Sequence, residues 1–174
     1  IEGIEDLSGI FRVTGEVQAH STTPFFGLWI GQDFKDPNKV LLQFSQGGLG
    51  LPEKNFYVGE RAKPEVLEAY VKHMAAMLTL SGMEAAEAEK VAPEILKLET
   101  SLAELAKERH ELRDATKIYH PKDRAGLEEM SDKLDWKSFL EGLGYPDFND
   151  FNVNTPEFFP GLATLLTETE LGTL

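Results

Sequence analysis

His110-Glu111 is the first place to look for chemistry in this sequence. In the helical pattern H-E-x-x-H, two imidazoles one turn apart bind a metal from one side and the glutamate acts as a general base. Here the residue four after His110 is Asp114, and no further ligand stands at a matching spacing. The pair reads as a polar helix end. His20, His73 and His120 are scattered singly and read as surface or capping residues. The acidic pairs Glu128-Glu129 and Asp132/Asp135 could serve acid–base work. A chain with 30 acidic residues makes such pairs by chance, so they read as solvated faces. No Ser/His/Asp spacing stands out. Cysteine is absent, which excludes disulfide frameworks, zinc ribbons, Fe–S clusters and thiol nucleophiles. On these grounds the chain holds no self-sufficient active site.

The other candidate is the glycine-rich run Gln46-Gly47-Gly48-Leu49-Gly50-Leu51-Pro52. Glycines at this density permit positive φ and close backbone approach. The run is neither G-x-G-x-x-G nor a Walker A loop, and the next expected helix starts more than ten residues on. It reads as a structural junction pinned by Leu49 and Leu51, and not as a phosphate cradle.

Lys plus Arg number 17 and Asp plus Glu 30 in 174 residues, a formal net charge of −13. A field of that sign repels phosphate backbones and anionic lipid, so neither nucleic acid nor a membrane surface is an expected partner. No apolar run approaches the roughly 20 residues of a membrane span. The length suits one domain with a sizeable core. Ile1 has no basic or apolar leader pattern behind it, so the chain is expected to be the interior of a longer protein, with localisation unknown.

The elements that position these residues follow from periodicity. Leu7, Ile10, Phe11 and Val13 fit a short helix, broken at Ser21–Pro24. Phe25–Ile30 and Val40–Phe44 read as the two strands of a hairpin, joined through a turn at Asp36-Pro37-Asn38-Lys39. Both faces of the first strand are apolar, so it is expected to be covered on both sides, with Trp29 buried. Pro64 opens a helix running to about Leu80. Ser81 and Glu84 match a capping box for a second helix near Gly82, which Pro93 should kink or restart. Its register, Val91, Ile95, Leu98, Leu102 and Leu105, extends to Leu112. Asp135-Trp136 opens a short helix stopped near Gly144, residues 147–154 read as an acidic loop, and Thr155-Pro156 caps a last helix. The expected fold is mainly α, about five helices with one antiparallel hairpin. Residues 1–24 form a short helix and linker, 25–57 the hairpin and glycine loop, and 58–174 a helical part.

Phe26–Pro52 reads FGLWIGQDFKDPNKVLLQFSQGGLGLP, and an aromatic pair, Phe56-Tyr57, follows. This resembles the N-terminal region of the neprilysin and endothelin-converting-enzyme family of zinc metallopeptidases. The matching residues are Asp33, Lys35, Gln46, Gly48, Leu49, Gly50, Leu51, Pro52, Phe56 and Tyr57. Where the family commonly has Arg-Asp before Tyr-Tyr, this chain has Lys54-Asn55 before Phe56-Tyr57. Leu98-Glu99-Thr100 resembles the family's L-E-T helix. Arg113-Asp114 with Tyr119-His120, Asp135-Trp136, and Pro156-Glu157-Phe158 continue the likeness from about residue 10 to the end.

The resemblance implies a zinc-dependent endopeptidase or oligopeptidase acting on peptides, in which a helical domain covers a separate catalytic domain. The zinc ligands and general base of such enzymes lie in a C-terminal part with H-E-x-x-H. No catalytic, cofactor-binding or metal residue therefore carries onto this chain, and zinc belongs to the parent enzyme. The implied partners are the catalytic domain of the same parent and peptide substrates. The absence of cysteine and of an N-x-S/T acceptor free of proline points to a bacterial oligopeptidase, exported or cytoplasmic. The competing reading is an independent acidic helical module that binds a partner through an apolar groove or the 91–112 seam.

Overall fold

The computed structural model describes residues 4–169. In chain order it contains α1 (Leu7–Gln18), β1 (Phe26–Gln32), β2 (Val40–Gln46), α2 (Pro64–Leu80), α3 (Ala85–Leu105), β3 (Pro121–Lys122), α4 (Arg124–Met130), α5 (Trp136–Leu143), β4 (Phe151–Val153) and α6 (Phe158–Glu168). The fold is mainly α, and the expected hairpin belongs to a four-stranded sheet of order β1-β2-β4-β3. β1 and β2 are antiparallel, with Leu28 opposite Phe44 and Ile30 opposite Leu42. Asp36 and Pro37 make the expected turn, closed by the Lys39 N–H donating to the Asp36 carbonyl at 2.9 Å.

β2 pairs on its other side with β4, in parallel, with Gln43 opposite Asn152. The reading of residues 147–154 as an acidic loop is corrected here. Phe151, Asn152 and Val153 form a buried strand, too short and too polar in its surroundings to show a period of two. β3 and α4 likewise escaped the sequence reading, because two and seven residues carry almost no periodicity.

One face of the sheet is aromatic. Phe44 is fully buried, with ring centroids 5.5–6.3 Å from those of Phe26, Trp136, Phe139, Phe151 and Phe159. These rings bring α5 and α6 onto the sheet, and α1 packs against α5 with Phe11 edge-on to Trp136. The opposite face of β2 is polar but closed. Gln43 Oε1 accepts from the Asn152 amide at 2.8 Å, and that amide also lies 2.9 Å from the Ile118 carbonyl in the connector after α3. Such a face survives burial because its polar atoms are paired.

Four expectations about ends and faces are corrected. The capping box does not form: the Ser81 hydroxyl donates back to the Leu78 carbonyl at the end of α2, and α3 starts at Ala85 without a side-chain cap. Pro93 lies inside the unbroken α3, which stops at Leu105, so Leu112 is not part of its seam. Thr155 does not cap α6, because its hydroxyl accepts from the Gln46 N–H at 2.8 Å. Most clearly, β1 is an edge strand whose Trp29 and Ile30 stay open. Trp29 is 46% exposed and Ile30 69% exposed, so the strand is not covered on both sides.

Trp29→Ala should therefore cost under about 1 kcal/mol in chemical denaturation, whereas Phe44→Ala should cost about 3–5 kcal/mol. Equal losses at the two positions would contradict this account of the sheet.

Candidate functional site

The glycine loop leaves the end of β2 and runs against the C-terminal half of α3. Gln46 fastens its start. Its side-chain amide donates to the Lys107 carbonyl at 2.9 Å and accepts from the Lys107 N–H at 2.8 Å, closing the first backbone groups beyond α3 like a strand partner. Gly48 has φ +75°, and a Cβ there would lie 2.9 Å from the Phe25 backbone and from Leu102. Leu49 packs half-buried against the core and Leu51 is also half-buried, while Pro52 is exposed. Lys54 donates to the Ala106 carbonyl just past the end of α3, where a cation is favoured by the helix dipole. Asn55 donates to Glu108 at 3.0 Å. An ion pair from Lys107 to Glu157 ties the same corner to the start of α6.

A half-buried carboxylate closes the middle of the loop. Glu99 of α3 accepts the Tyr57 hydroxyl at 2.7 Å and the Tyr70 hydroxyl at 3.0 Å, so one acid joins the loop's end, α2 and α3. The Leu51 N–H in turn donates to the Tyr57 oxygen at 2.7 Å. A side chain at Gly50 would collide with the Tyr70 hydroxyl. Burial pushes the Glu99 carboxyl above its usual range, against the two phenols and the Gly50 amide, which hold it down. Burial also raises the Tyr57 phenol, and it pushes Tyr70 up to about 12, with Glu99 adding to both.

Asp33 and Lys35 sit away from this junction, beyond β1. Asp33 accepts the Lys35 N–H at 2.8 Å and the Tyr119 hydroxyl at 2.8 Å, and Lys35 Nζ lies 4.7 Å from the centre of the Tyr119 ring. The backbone bond from Lys35 is the main cause holding the Asp33 carboxyl below its usual range. Arg113 is exposed, and Asp114 accepts from the Thr116 N–H and hydroxyl in the connector between α3 and β3. The residues named from the sequence thus fall in three places, the loop, the hairpin tip and the connector. Glu99 and Tyr70 tie the loop to α3 and α2, and Tyr119 ties the hairpin tip to the connector; the sequence offers Glu99 and Tyr119 only within the L-E-T and Tyr-His runs, and Tyr70 only as part of a helical pattern. No spacing rule pairs Tyr57 with a residue 42 positions away.

Among the described residues no three His, Asp or Glu side chains converge where they could hold a metal ion, and no helix is long and apolar enough to cross a membrane. Glu111 accepts from the Glu108 N–H at 2.9 Å, which makes it a turn cap.

A family model for peptidase family M13 matches residues 1–174. The chain belongs to this family. It is 30% identical to endothelin-converting enzyme 1 of Rattus norvegicus over 98% of its own length, and 31% identical to the Homo sapiens enzyme of that name over 88%. It spans only 24% and 21% of those proteins. Among solved structures, zinc metalloprotease Zmp1 of Mycobacterium tuberculosis in its open state superposes with a TM-score of 0.90 at 29% identity, covering 99% of this chain and 27% of Zmp1. The chain is thus an M13 N-terminal region, and its mainly helical fold is that of the matching part of a larger peptidase.

Two outcomes follow for the M13 junction. Gly48→Ala should lower stability by about 1–3 kcal/mol in urea denaturation, since left-handed backbone and close packing both oppose a Cβ. A Glu99 proton is held more tightly in the folded state than in the unfolded one. Wild type should therefore gain stability relative to Glu99→Gln as pH falls from neutral toward the usual glutamate pKa of about 4.3. A difference that shifts toward the variant on acidification would show that the carboxyl is held low instead.

Proposed function

We propose that this chain is the substrate-restricting helical portion of a zinc-dependent M13 metallopeptidase, and that it has no peptidase activity alone. The observation that carries this reading is the family match along all 174 residues, in a chain about a quarter as long as the relatives it matches. Its partners in this reading are the catalytic part of the same protein and the peptide substrates.

The described residues do not fit a zinc site, so no catalytic step is assigned to them. Their work is mechanical. A wall over a peptidase site keeps folded proteins out, admits flexible chains that reach the site at little cost, and shields the scissile bond from bulk water. Such a wall must be stiff. The Gln46 clamp, the Lys54 cap and the Glu99–Tyr57–Tyr70 cluster fasten the loop and α2 to α3, each contributing about 1 kcal/mol by the usual worth of a hydrogen bond.

The test compares the isolated chain with the whole enzyme on quenched fluorescent peptides of increasing length and on a folded protein. The isolated chain should cleave none of them. In the whole enzyme, Gln46→Ala with Glu99→Ala should raise cleavage of long relative to short substrates, with zinc content unchanged. Cleavage by the isolated chain, or an equal loss on all substrates, would contradict the reading.

A further inference from the structure

β1 has a free edge. It is the outermost strand of the sheet, with β2 on one side only. The Asp33 N–H donates to the Lys39 carbonyl at 2.9 Å, so odd-numbered residues of this strand face β2. Antiparallel alternation then turns the N–H and C=O groups of Leu28, Ile30 and Gln32 outward. The Phe26 carbonyl, in the same outward series, is already taken by Gln18. This side chain at the end of α1 is 7% exposed and donates through Nε2 at 2.7 Å. Gln18 fills the first rung of a missing neighbour strand. Its Oε1 is buried and has no partner among the described residues, which leaves an acceptor unsatisfied beside that edge.

A groove of about 440 Å³ runs along the same place. Its lining includes Leu28, Ile30 and Val40 of the hairpin, together with Leu143, Tyr145, Phe148 and Gln18. Among the described residues no charged side chain lines it, in a chain that is 27% charged. Leu28 and Ile30 point to the sheet's core face, as Phe26 does, so the groove lies under the free edge. Edge strands left open are usually blunted by charge, proline or a bulge. The stretch Leu28-Trp29-Ile30-Gly31-Gln32 has no charge and no proline, and its Trp29 and Ile30 are exposed.

We propose that this edge and groove bind an extended peptide, which adds as a strand beside Leu28, Ile30 and Gln32 and lowers one bulky apolar side chain into the groove. Two features select this occupant. Outward backbone groups in a row are satisfied by an extended chain and not by a helix, and the unpartnered Gln18 oxygen calls for a further N–H donor. Backbone recognition with one apolar anchor also suits a peptidase presented with many sequences. The proposal rests on the cap reading for the source of the peptide.

The test uses the whole enzyme that carries this chain, freed of zinc so that the probe survives. The probe is a blocked, uncharged pentapeptide with valines flanking a central leucine, and its control is the same peptide N-methylated at alternate amides. Hydrogen exchange over residues 26–32 is followed by mass spectrometry. The Leu28 and Ile30 amides should exchange fast in the free enzyme and slow in the peptide, with the N-methylated control giving no protection. Ile30→Lys should weaken binding at least about tenfold without moving the melting temperature, because Ile30 is 69% exposed. The proposal is overturned if those amides are already slow in the dilute free enzyme, which would mean another part of the chain pairs with β1. It is overturned equally if protection follows protein concentration, which would mean a second copy, or if the peptide gives none. These readouts report only the edge, so they fail separately from the substrate-length assay, which reports only the cap.

Discussion

The parallel pairing of β2 with β4 is the contact that organises the molecule. Leu42 donates to the Asp150 carbonyl at 3.0 Å and Asn154 to the Phe44 carbonyl at 2.7 Å, joining segments more than 100 residues apart. A parallel pair cannot be closed by a tight turn; it needs a crossover. Here that crossover is the whole stretch from the glycine loop through α5. The loop must leave the end of β2, and the chain must come back at its beginning. The aromatic face around Phe44 and the polar face around Gln43 and Asn152 are the two sides of this one contact. A loop-closure cost of this length is offset only when many side chains are buried at once.

Seen from that pairing, the glycine loop is a junction. It turns out of β2 without disturbing the sheet, and it is tied to α3 by groups that imitate secondary structure. The Gln46 amide stands in for a strand partner, Lys54 for a helix C-cap, and Glu99 gathers two phenols around a half-buried acceptor. In a chain of net charge −13, the acid that matters most here is one partly removed from water. Its ionised form is held by donors from two different elements, which couples α2 to the loop.

Long periodic elements were legible in the sequence. α2 ran from Pro64 to Leu80 as the proline and the apolar spacing required, α5 lay between Asp135 and Gly144, and the hairpin register followed from its turn. What the sequence hid was tertiary. Phe151–Val153 is too short for a period to appear, and only the parallel partner makes it a strand. Ser81 and Thr155 were plausible caps by type, yet each hydroxyl found a different partner: the Leu78 carbonyl for Ser81, and the Gln46 N–H for Thr155. Trp29 looked like a core residue because its strand is apolar on both faces, yet it lies on the face away from the aromatic cluster and is exposed. The motif residues around the loop were visible through their likeness to a family, whereas Glu99–Tyr70 and Asp33–Tyr119 were pairings that only the folded chain displays.

Native-state hydrogen exchange on the chain tests this account most directly. If the β2–β4 pair is the organising contact, the amides of Leu42 and Asn154 should exchange only through global unfolding. Their opening free energy should match that from denaturant melts, while amides in α2, which packs mainly on α3, should open at lower free energy. Exchange of Leu42 and Asn154 ahead of α2, at a free energy well below global unfolding, would contradict it.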